Sequence, residues 1–422
     1  MGQLLSSICY QALGSVLAPP VLLWMTAKGR FGGAWADRLG FPIVAFDQPI
    51  WFHAASVGEA QSALTIIQAF CDNKEQLGLN TKFLLSVGTP AGLARAKNLA
   101  AGYDWLQILA PPLDFFGAPG RALDRIDPVA LVIVETELWP ELIRQAQKRA
   151  LPVLVVAGRM SHRSFKRYGR ARSLFQPLLA KMPLVAVIGD ADRRRYLDLG
   201  AREEKTLVVG NPKFDSLVKD AKRPLIVTER QLGRKIIVAG STEDPEEDLI
   251  VSAWLKLVDR PHLILAPRHL TRLDRIAFFL REKKITWRYY SARPTLDWPT
   301  EPDLILVDAY GVLAKLYGEA DLAIIGGSFF GGSGHNPLEP TVYGRPVLFG
   351  PHMSSFQEES LALAAAGAAA SVNKTEFSLA LAAWLTRKDL AQAGQAGRAY
   401  LASQDLVGPK LASLVRATLA AP

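Results

Sequence analysis

Short, continuously apolar segments alternate with longer segments of helical periodicity from about residue 45 onward. Because polar residues rarely interrupt the short segments, they are typical of parallel strands that are covered on both faces. Seven strands of a first set are predicted at residues 50–56, 82–87, 106–110, 130–135, 153–157, 184–188 and 207–210. Six strands of a second set are predicted at residues 235–240, 262–267, 286–290, 303–308, 322–326 and 346–349. An alanine-rich helix is predicted near residues 361–370.

The repeated strand–helix–strand order predicts an α/β protein with two doubly wound parallel sheets. Charged residues and Pro224 interrupt the pattern between residues 215 and 234, and we place the domain boundary there. The predicted organisation is a hydrophobic N-terminal segment at 1–28, a first domain at 29–220 and a second domain at 221–422.

The first 27 residues contain no charged side chain and are mostly apolar from residue 8 onward. Lys28, Arg30 and Arg38 follow this segment, and basic residues typically flank the cytoplasmic end of a membrane segment. We therefore predict a membrane-associated helix, either spanning the bilayer or lying in its interface, with the rest of the chain in the cytosol. The alternative is a helix that packs against the protein itself.

Composition and charge narrow the class of protein. Apolar residues make up 49% of the chain and charged residues 21%, which is typical of a folded globular protein. Cys9 and Cys71 are the only cysteines, which excludes a disulfide scaffold and a four-thiolate metal site. The net charge of +9 favours an anionic partner, which is nucleic acid, a phosphate-bearing substrate or an anionic membrane. Six basic residues cluster in a predicted helical region, which is either a solvated helix face or a phosphate-binding surface: Arg159, Arg163, Lys166, Arg167, Arg170 and Arg172.

The end of the first predicted strand carries a candidate catalytic carboxylate, because open parallel sheets bind ligands beyond the carboxyl ends of their strands. Ser56-Val57-Gly58-Glu59 leads from this strand into a helix. Gly58 permits a tight turn, and Glu59 at the helix N-terminus is placed to act as a general base. The alternative interpretation is that Glu59 caps the helix or complements its dipole.

Two further strand ends in the first domain carry charged residues. Glu135 ends the fourth strand and Glu137 follows it, and carboxylates in these places are atypical of a core. They are either functional or caps of the next helix. Lys213 follows the seventh strand, where its cation meets a phosphate or carboxylate of a ligand, or pairs with Asp215.

The second domain carries candidate anion-binding residues at its strand ends. Arg268 can hold a phosphate through its planar guanidinium, and the turn Tyr310-Gly311-Val312 offers backbone N–H groups to an anion. A glycine-rich loop then leads to Asn336 and Glu339, which suit a phosphate or base edge and a ribose diol. This loop lacks the Gly-Lys-Ser/Thr sequence of a phosphate-binding NTPase loop, and its glycines do not have the spacing of a dinucleotide-binding fold.

A metal site is poorly supported by the sequence. Asp190 and Asp192 resemble the acid pair with which many sugar transferases bind a divalent cation, but a helix N-cap explains them equally well. The six histidines have no ligand spacing. We therefore predict no metal and no other cofactor.

Six short motifs occur in an order that resembles the 3-deoxy-D-manno-octulosonic acid (Kdo) transferases of Gram-negative lipopolysaccharide synthesis. The resemblance runs from about Gly29 to Val372. The motifs are Ser56-Val57-Gly58-Glu59, Glu135-Thr136-Glu137-Leu138-Trp139-Pro140, Gly210-Asn211-Pro212-Lys213-Phe214-Asp215, Gly240-Ser241-Thr242, Pro267-Arg268-His269 and His335-Asn336-Pro337-Leu338-Glu339-Pro340. Any one of them is a weak signal, whereas six in register are highly specific.

The resemblance implies the two-domain GT-B fold, with two Rossmann-like domains facing a central cleft and an N-terminal membrane-anchoring helix. Residues 29–220 would bind the acceptor and residues 221–422 the CMP-sugar donor. The implied reaction is inverting transfer of Kdo from CMP-Kdo to a lipid A precursor of the lipid IVA type. It would take place at the cytoplasmic face of the bacterial inner membrane, whose anionic inner leaflet would be a partner. No nucleic-acid partner and no obligatory metal are implied.

The resemblance also implies residue roles. Glu59 falls on the family's general base, and Glu135 and Lys213 fall on positions that support the transition state. The implied donor-binding residues are Pro267, Arg268, Tyr310, Gly311, Val312, Asn336, Pro337, Leu338 and Glu339. Where the family commonly has Met-Gly-Glu, this chain has Tyr310-Gly311-Val312, which retains a backbone contact to CMP but no contact from a glutamate side chain.

Two alternatives remain open at this point. One is a transferase or epimerase of the same fold that acts on another nucleotide sugar, which a preference for CMP or UDP distinguishes. The other is a non-enzymatic protein that binds membranes or polyanions, for which replacement of Glu59 has no measurable effect.

Overall fold

A computed structural model describes residues 10, 20, 26, 34–72, 81–115, 117–224, 234–294, 296 and 302–421. The chain divides into two compact units. The first unit comprises Met1–Asp215 and Leu406–Pro422, and the second comprises Ser216–Asp405.

The first unit contains a seven-stranded parallel sheet in its described residues. Its strands are β1 (Ile50–Ala54), β2 (Phe83–Val87), β3 (Leu106–Leu109), β4 (Ala130–Val134), β5 (Val153–Gly158), β6 (Leu184–Val187) and β7 (Thr206–Val208). Its helices are α1 (Trp35–Arg38), α2 (Val57–Asp72), α3 (Pro90–Ala100), α4 (Ala118–Ile126), α5 (Pro140–Lys148), α6 (His162–Arg170), α7 (Arg172–Leu179) and α8 (Asp190–Asp198). Short 3-10 helices lie at Glu203–Lys205 and Pro212–Phe214, and α9 (Asp215–Lys222) begins at the last residue of this part of the unit.

The strand order of the first sheet is β3-β2-β1-β4-β5-β6-β7. Every residue of β1, β2, β4, β5 and β6 is buried, which explains why these strands are almost entirely apolar in the sequence. The chain winds outward from β1 to β3 and then returns to β4 on the other side of β1. This reversal creates a switch point between β1 and β4, where open parallel sheets bind ligands.

The second unit repeats this architecture with a different order at one edge. Its strands are β8 (Ile236–Thr242), β9 (His262–Pro267), β10 (Trp287–Tyr289), β11 (Leu304–Leu306), β12 (Leu322–Ile325), β13 (Val347–Phe349) and β14 (Ala369–Ser371). Its helices are α10 (Glu246–Leu255), α11 (Leu273–Glu282), α12 (Leu313–Tyr317), α13 (Leu338–Val342), α14 (Gln357–Ala365), α15 (Phe377–Thr386) and α16 (Leu390–Ser403), with a 3-10 helix at Leu270–Arg272. The strand order is β10-β11-β9-β8-β12-β13-β14, so the switch point lies between β8 and β12.

The prediction of two parallel-sheet α/β domains is confirmed, and each predicted strand lies within a few residues of an observed one. The predicted alanine-rich helix at 361–370 is wrong beyond residue 365. Gly367 adopts a left-handed conformation with φ 73°, which is a common way for a helix to end. The chain then forms β14, which pairs with β13 and was not predicted.

The C-terminal helix α17 (Val407–Ala420) belongs to the first unit, whereas the sequence prediction assigned residues 221–422 to the second domain. Leu411, Ala412 and Val415 are fully buried in the same core cluster as the apolar face of α2. The prediction failed because apolar periodicity identifies a helix that packs on a sheet but does not tell which of two sheets receives it.

Most of the predicted membrane-associated segment at 1–28 lies outside the described residues. Among the described residues, no helix combines the length and apolarity that crossing a bilayer requires. The Tyr10 hydroxyl donates a hydrogen bond of 2.8 Å to Asp114 Oδ2. Arg38, predicted as a flanking surface cation, is buried at 4% exposure and donates to the carbonyls of Gly88 and Pro111. Its guanidinium therefore joins two loops inside the first unit and is not a surface cation.

Candidate active site

Two of the predicted catalytic carboxylates meet at the switch point of the first sheet. Glu59 follows β1 and Glu135 follows β4, and these strands are adjacent and parallel. Their carboxyl ends therefore lie at one edge of the sheet, and both side chains are buried there, at 9% and 8% exposure. Sequence alone placed each carboxylate at a strand end, and the topology brings the two together.

Glu59 is held in a capping box at the start of α2. The Glu59 backbone N–H donates to Ser56 Oγ at 3.3 Å, and Glu59 Oε2 accepts hydrogen bonds from the N–H groups of Ala55 at 2.5 Å and Ser56 at 3.3 Å. This is the reciprocal arrangement expected when glutamate lies three residues after a serine N-cap. The described residues provide no hydrogen-bond donor to Oε1, so the cap uses one carboxylate oxygen and leaves the other for a ligand.

The surroundings of Glu59 make it a stronger base than an ordinary glutamate. Burial raises the pKa of Glu59 to about 7, and the negative charges of Glu135 and Glu137 act in the same direction. The hydrogen bonds from Ala55 and Ser56 oppose this rise without cancelling it. A carboxylate with a pKa near neutrality combines a useful ionised fraction with high proton affinity, as general base catalysis requires.

Glu135 forms an ion pair with Lys213. The distance from Lys213 Nζ to Glu135 Oε1 is 2.5 Å, and Ser62 Oγ lies 3.1 Å from the same oxygen. Glu135 has a left-handed backbone with φ 61°, which is unusual for a residue other than glycine. Its N–H donates to the carbonyl of Val156 and its carbonyl accepts from the Tyr196 hydroxyl, so both backbone groups stabilise this conformation. Ser62 gave no signal in the sequence, although it lies one helical turn after Glu59.

Lys213 approaches the turn that carries Glu59 closely. It lies on the 3-10 helix Pro212–Phe214, which Asn211 caps by accepting the Lys213 N–H at 3.1 Å. A Cβ atom on Gly58 would lie 3.3 Å from Lys213 Nζ and 3.6 Å from its Cε. Glycine at position 58 therefore makes room for the ammonium group, in addition to permitting the turn that the sequence predicted. The predicted alternative pairing of Lys213 with Asp215 is replaced by the pair with Glu135.

The helix after Glu135 is capped from elsewhere in the chain. Asp114 Oδ2 and Oδ1 accept the N–H groups of Glu141 and Leu142, at 3.0 and 2.7 Å, in the first turn of α5. Glu137 accepts instead from the Trp139 indole at 2.8 Å. Neither Glu135 nor Glu137 is needed as a cap, so the capping alternative for these two carboxylates is wrong. Burial raises the pKa of Asp114 to about 7.

A basic surface lies beside this site, formed by exposed side chains of α6 and the start of α7. Its members are Arg163, Lys166, Arg167, Arg170 and Arg172, none of which has an ion-pair partner among the described residues. Tyr168 of the same helix donates to the Thr136 carbonyl at 2.9 Å, directly after Glu135. The basic surface is thus attached to the turn that carries the catalytic candidates.

The predicted donor-binding residues of the second unit lie at the carboxyl edge of its sheet. Pro267 ends β9, and the exposed Arg268 donates its N–H to the Thr242 carbonyl after β8 at 2.9 Å. Tyr310 is 67% exposed, and its hydroxyl accepts the Leu270 N–H at 3.5 Å. This contact joins the turns that follow β9 and β11.

Gly311 and Val312 lead from β11 into α12. Gly311 has a left-handed backbone with φ 81°, and a Cβ atom there would meet no heavy atom within 4 Å. Val312 is half-buried, at the N-cap position of α12. The open space above Gly311 is compatible with the predicted backbone contact to an anion.

The motif from Asn336 to Glu339 forms the start of α13. Asn336 Oδ1 accepts the Leu338 N–H at 3.0 Å, and Asn336 Nδ2 lies 3.5 Å from Glu339 Oε1. Burial raises the pKa of Glu339 above its ordinary range, while the Asn336 amide and the Arg268 charge act against this rise. Pro337 and Leu338 are buried, so their side chains pack inside the unit and only their backbone is available to a ligand.

Glu246 organises the glycine-rich loop of the second unit and was missed in the sequence. Its buried carboxylate accepts four backbone N–H groups: those of Glu243 and Gly327 at 2.9 and 2.7 Å, and those of Ser328 and Phe329 at 2.8 and 2.9 Å. The N–H groups at the end of β12 therefore bind an internal carboxylate. Only a residue distant in sequence supplies it, so loop composition could not reveal it.

Asp192, in the first turn of α8, has a structural role. The predicted aspartate N-cap is wrong, because the N-cap position is held by Gly189 and no side chain caps the helix. Asp192 Oδ1 accepts the Met160 N–H at 2.7 Å and lies 3.5 Å from an Arg195 nitrogen. Among the described residues, no group of three His, Cys, Asp or Glu side chains is arranged to hold a metal ion.

The chain is similar in sequence to known proteins over most of its length. The model of the 3-deoxy-D-manno-octulosonic-acid transferase (kdotransferase) family matches residues 33–216. A 3-deoxy-D-manno-octulosonic acid transferase of Haemophilus influenzae is 32% identical over 361 residues, covering 83% of this chain and 80% of that protein. A bifunctional glycosyltransferase/methyltransferase of Fusobacterium nucleatum is 34% identical over 310 residues, covering 72% of this chain but only 48% of that protein.

The fold has solved counterparts at low sequence identity. A UDP-GlcNAc 2-epimerase from Neisseria meningitidis superposes with a TM-score of 0.57 at 12% identity, covering 88% of this chain and 99% of that one. At this identity the likeness concerns the fold alone and does not distinguish a transferase from an epimerase. The sequence match to the H. influenzae transferase does distinguish a transferase from an epimerase, because it covers 83% of this chain and therefore includes both units. The chain belongs to the 3-deoxy-D-manno-octulosonic acid transferase family.

Proposed function

We propose that this chain is an inverting glycosyltransferase that transfers Kdo from CMP-Kdo to a hydroxyl group of a lipid A precursor. In this reaction the acceptor oxygen bonds to the anomeric carbon of Kdo, the bond from that carbon to the CMP phosphate oxygen breaks, and CMP leaves. The proton of the acceptor hydroxyl must go to a base, and the negative charge that develops on the leaving phosphate must be stabilised.

The observation that carries the proposal is the state of Glu59. Its Oε2 is fixed by two backbone N–H groups, while Oε1 has no donor among the described residues. A fixed carboxylate with one available oxygen and a pKa of about 7 is suited to take the proton from an attacking hydroxyl. In the proposed reaction, Glu59 Oε1 receives that proton.

The Glu135–Lys213 pair supplies the neighbouring charge. Lys213 is held 2.5 Å from Glu135 Oε1 yet keeps 29% of its side chain exposed, so its ammonium group can donate to a ligand as well. We assign Lys213 to the stabilisation of negative charge on the donor and Glu135 to the positioning of Lys213. Such prearranged charges lower the barrier because they need no reorganisation during the reaction.

The second unit supplies the proposed donor site. Arg268 is exposed at a strand end, where its guanidinium can bind the CMP phosphate through two parallel hydrogen bonds. Glu339 lies close enough for the charge of Arg268 to act on its pKa, and its carboxylate suits the ribose hydroxyls. Tyr310 and the open backbone at Gly311 complete this edge.

The basic surface of α6 and α7 supports an anionic glycolipid as acceptor. Its five exposed cations lie next to the Glu135 turn, where the phosphates of a lipid A precursor or of the cytoplasmic leaflet can be bound. This position is consistent with action at the cytoplasmic face of the inner membrane, with the segment at 1–28 as the proposed anchor.

The test is mass spectrometry of a tetraacylated lipid A precursor in phospholipid vesicles after incubation with the full chain and freshly generated CMP-Kdo. We expect one or more mass increments of Kdo and none with a UDP-sugar as donor. The number of increments counts the transfers. Binding of CMP without any increment would contradict the proposed acceptor or sugar, and absence of both would contradict the proposed function altogether.

A further inference from the structure

The segment that carries Lys213 contacts the C-terminal helix at both of its ends. Asp215, buried at 3% exposure, accepts the N–H groups of Val407 and Gly408 at 2.9 and 2.7 Å. On the other side of Lys213, Gly210 has φ 108°, and a Cβ atom there would lie 3.0 Å from Val407 Cγ2. The first turn of α17 therefore contacts the chain both before and after Lys213.

The same turn of α17 also contacts the helix that begins with Glu59. A Cβ atom on Gly408 would lie 2.9 Å from Asp215 Oδ2, 3.1 Å from Thr65 Cγ2 and 3.2 Å from the Thr65 carbonyl oxygen of α2. Glycine at 408 thus lets α17 fit between α2 and the Lys213 segment. Further along α17, Leu411 and Val415 pack in the core with the apolar face of α2.

We propose that Asp215 is a positioning residue: by capping α17 it fixes Lys213 against Glu135 and thereby sets the charge around Glu59. This inference rests on the proposed function of Glu59 and Lys213. The first-turn N–H groups of a helix have no partner within the helix, and a carboxylate that binds two of them gains both hydrogen bonds and a favourable dipole interaction. Asp215 lies two residues from Lys213, so its cap restricts where the Lys213 ammonium can lie.

The consequence reaches Glu59 through Glu135. Burial and then the charges of Glu135 and Glu137 raise the pKa of Glu59, and Lys213 partly neutralises the Glu135 charge at 2.5 Å. If Lys213 moves away, Glu135 repels the Glu59 anion more strongly and the pKa of Glu59 rises further. Loss of the cap should therefore shift the acidic limb of the pH profile of kcat/KM to higher pH. A general loss of stability does not shift this limb.

The test compares Asp215→Asn with the wild-type full chain. Asparagine has nearly the same shape, but it carries no charge and replaces one of the two accepting oxygens by a donor. We expect the limb to move up by about half a pH unit, so that kcat/KM falls about threefold more at pH 6 than at pH 8.5. Gly408→Ala, which presses on Asp215 and on the Thr65 carbonyl, should move the limb in the same direction.

Leu411→Ala is the matched control. It removes a fully buried side chain from the same helix, away from the cap, and leaves a cavity in the core. We expect it to lower the melting temperature without moving the limb. The proposal is overturned if Asp215→Asn leaves the limb in place, or if Leu411→Ala moves it equally at a matched loss of melting temperature.

Hydrogen exchange measured by mass spectrometry tests the positioning without any activity. In Asp215→Asn, the hydrogen-bonded amides of Lys213 and Phe214 should exchange at least tenfold faster than in the wild type, whereas in Leu411→Ala they should not. Unchanged exchange in Asp215→Asn would refute the proposal. Absence of Kdo transfer by the wild type would instead refute the proposed function, and the exchange result would still decide whether Asp215 holds this segment.

Discussion

Replacing Glu59 by glutamine should stabilise the first unit at alkaline pH. In the folded chain the pKa of Glu59 is about 7, compared with the ordinary value of 4.5. The difference corresponds to about 3 kcal/mol of free energy, because each pKa unit is worth about 1.4 kcal/mol. Folding therefore favours the protonated acid and opposes the carboxylate, as at other sites where function is maintained at a cost in stability.

The sign of the pH dependence follows from this rise. Below pH 4.5 the group is protonated in both the folded and the unfolded chain and costs nothing. As the pH rises from 4.5 to about 7, the unfolded chain loses its proton first, so the free energy of unfolding falls. Above a pH of about 7, ionisation of Glu59 lowers the free energy of unfolding no further. The glutamine of the Glu59→Gln variant resembles the protonated acid and does not titrate, so the advantage of the variant over the wild type should grow by about 2 to 3 kcal/mol between pH 5 and pH 8.

The assay is amide hydrogen exchange of peptides from β1 and β4 as a function of urea, which reports the free energy of unfolding of the first unit alone. Comparing the two pH values removes constant contributions, such as weaker capping by the glutamine amide. Glu203→Gln is the control, because its side chain is 78% exposed and should show no such difference. Equal Glu59→Gln effects at pH 5 and pH 8 would refute the argument that burial raises this pKa.

Three further predictions concern the surroundings of the two sites. Gly58→Ala should lower kcat about three- to tenfold with unchanged CMP affinity, because its Cβ would lie 3.3 Å from Lys213 Nζ. A variant with the kcat of the wild type would contradict this prediction. Glu246→Gln should lower the stability of the second unit by about 2 to 4 kcal/mol and weaken CMP binding, because buried N–H groups lose an acceptor. Calorimetry measures the stability and titration measures the CMP affinity, with Glu376→Gln at an exposed position as the control. Arg163→Glu combined with Arg167→Glu should raise the KM for the vesicle-bound acceptor at least tenfold and leave the CMP affinity unchanged. The increase in KM should be smaller at high salt, because salt screens the interaction with phosphates. An unchanged KM would argue against a phosphate-binding surface.

The architecture could be predicted because most strands of the two sheets are buried on both faces and are therefore largely apolar. The same logic located Glu59 and Glu135, since a carboxylate directly after such a strand lies at the edge where ligands bind. This reasoning failed where a single residue determines the end of a helix. Gly367 ends the alanine-rich helix through its left-handed backbone, and composition alone favoured a longer helix.

The roles that the sequence did not reveal depend on contacts across long chain distances. Asp114 caps α5, Glu246 fills the glycine-rich loop and Asp215 caps α17, over about 30, 80 and 190 residues respectively. Each is an acidic residue whose partners are backbone N–H groups, which carry no sequence signature. Arg38 was misjudged for the same reason, because its partners are carbonyl groups. Local motifs predict where a site lies, whereas the contacts that stabilise it depend on the tertiary structure.

The most direct test of the central claim is single-turnover transfer by Glu59→Gln, measured beside CMP binding by titration calorimetry. If Glu59 takes the proton of the acceptor hydroxyl, the variant should bind CMP as tightly as the wild type and transfer Kdo at least about a hundredfold more slowly at pH 7.5. Transfer at the wild-type rate with unchanged CMP binding would show that another group is the base, and would contradict the account at its centre.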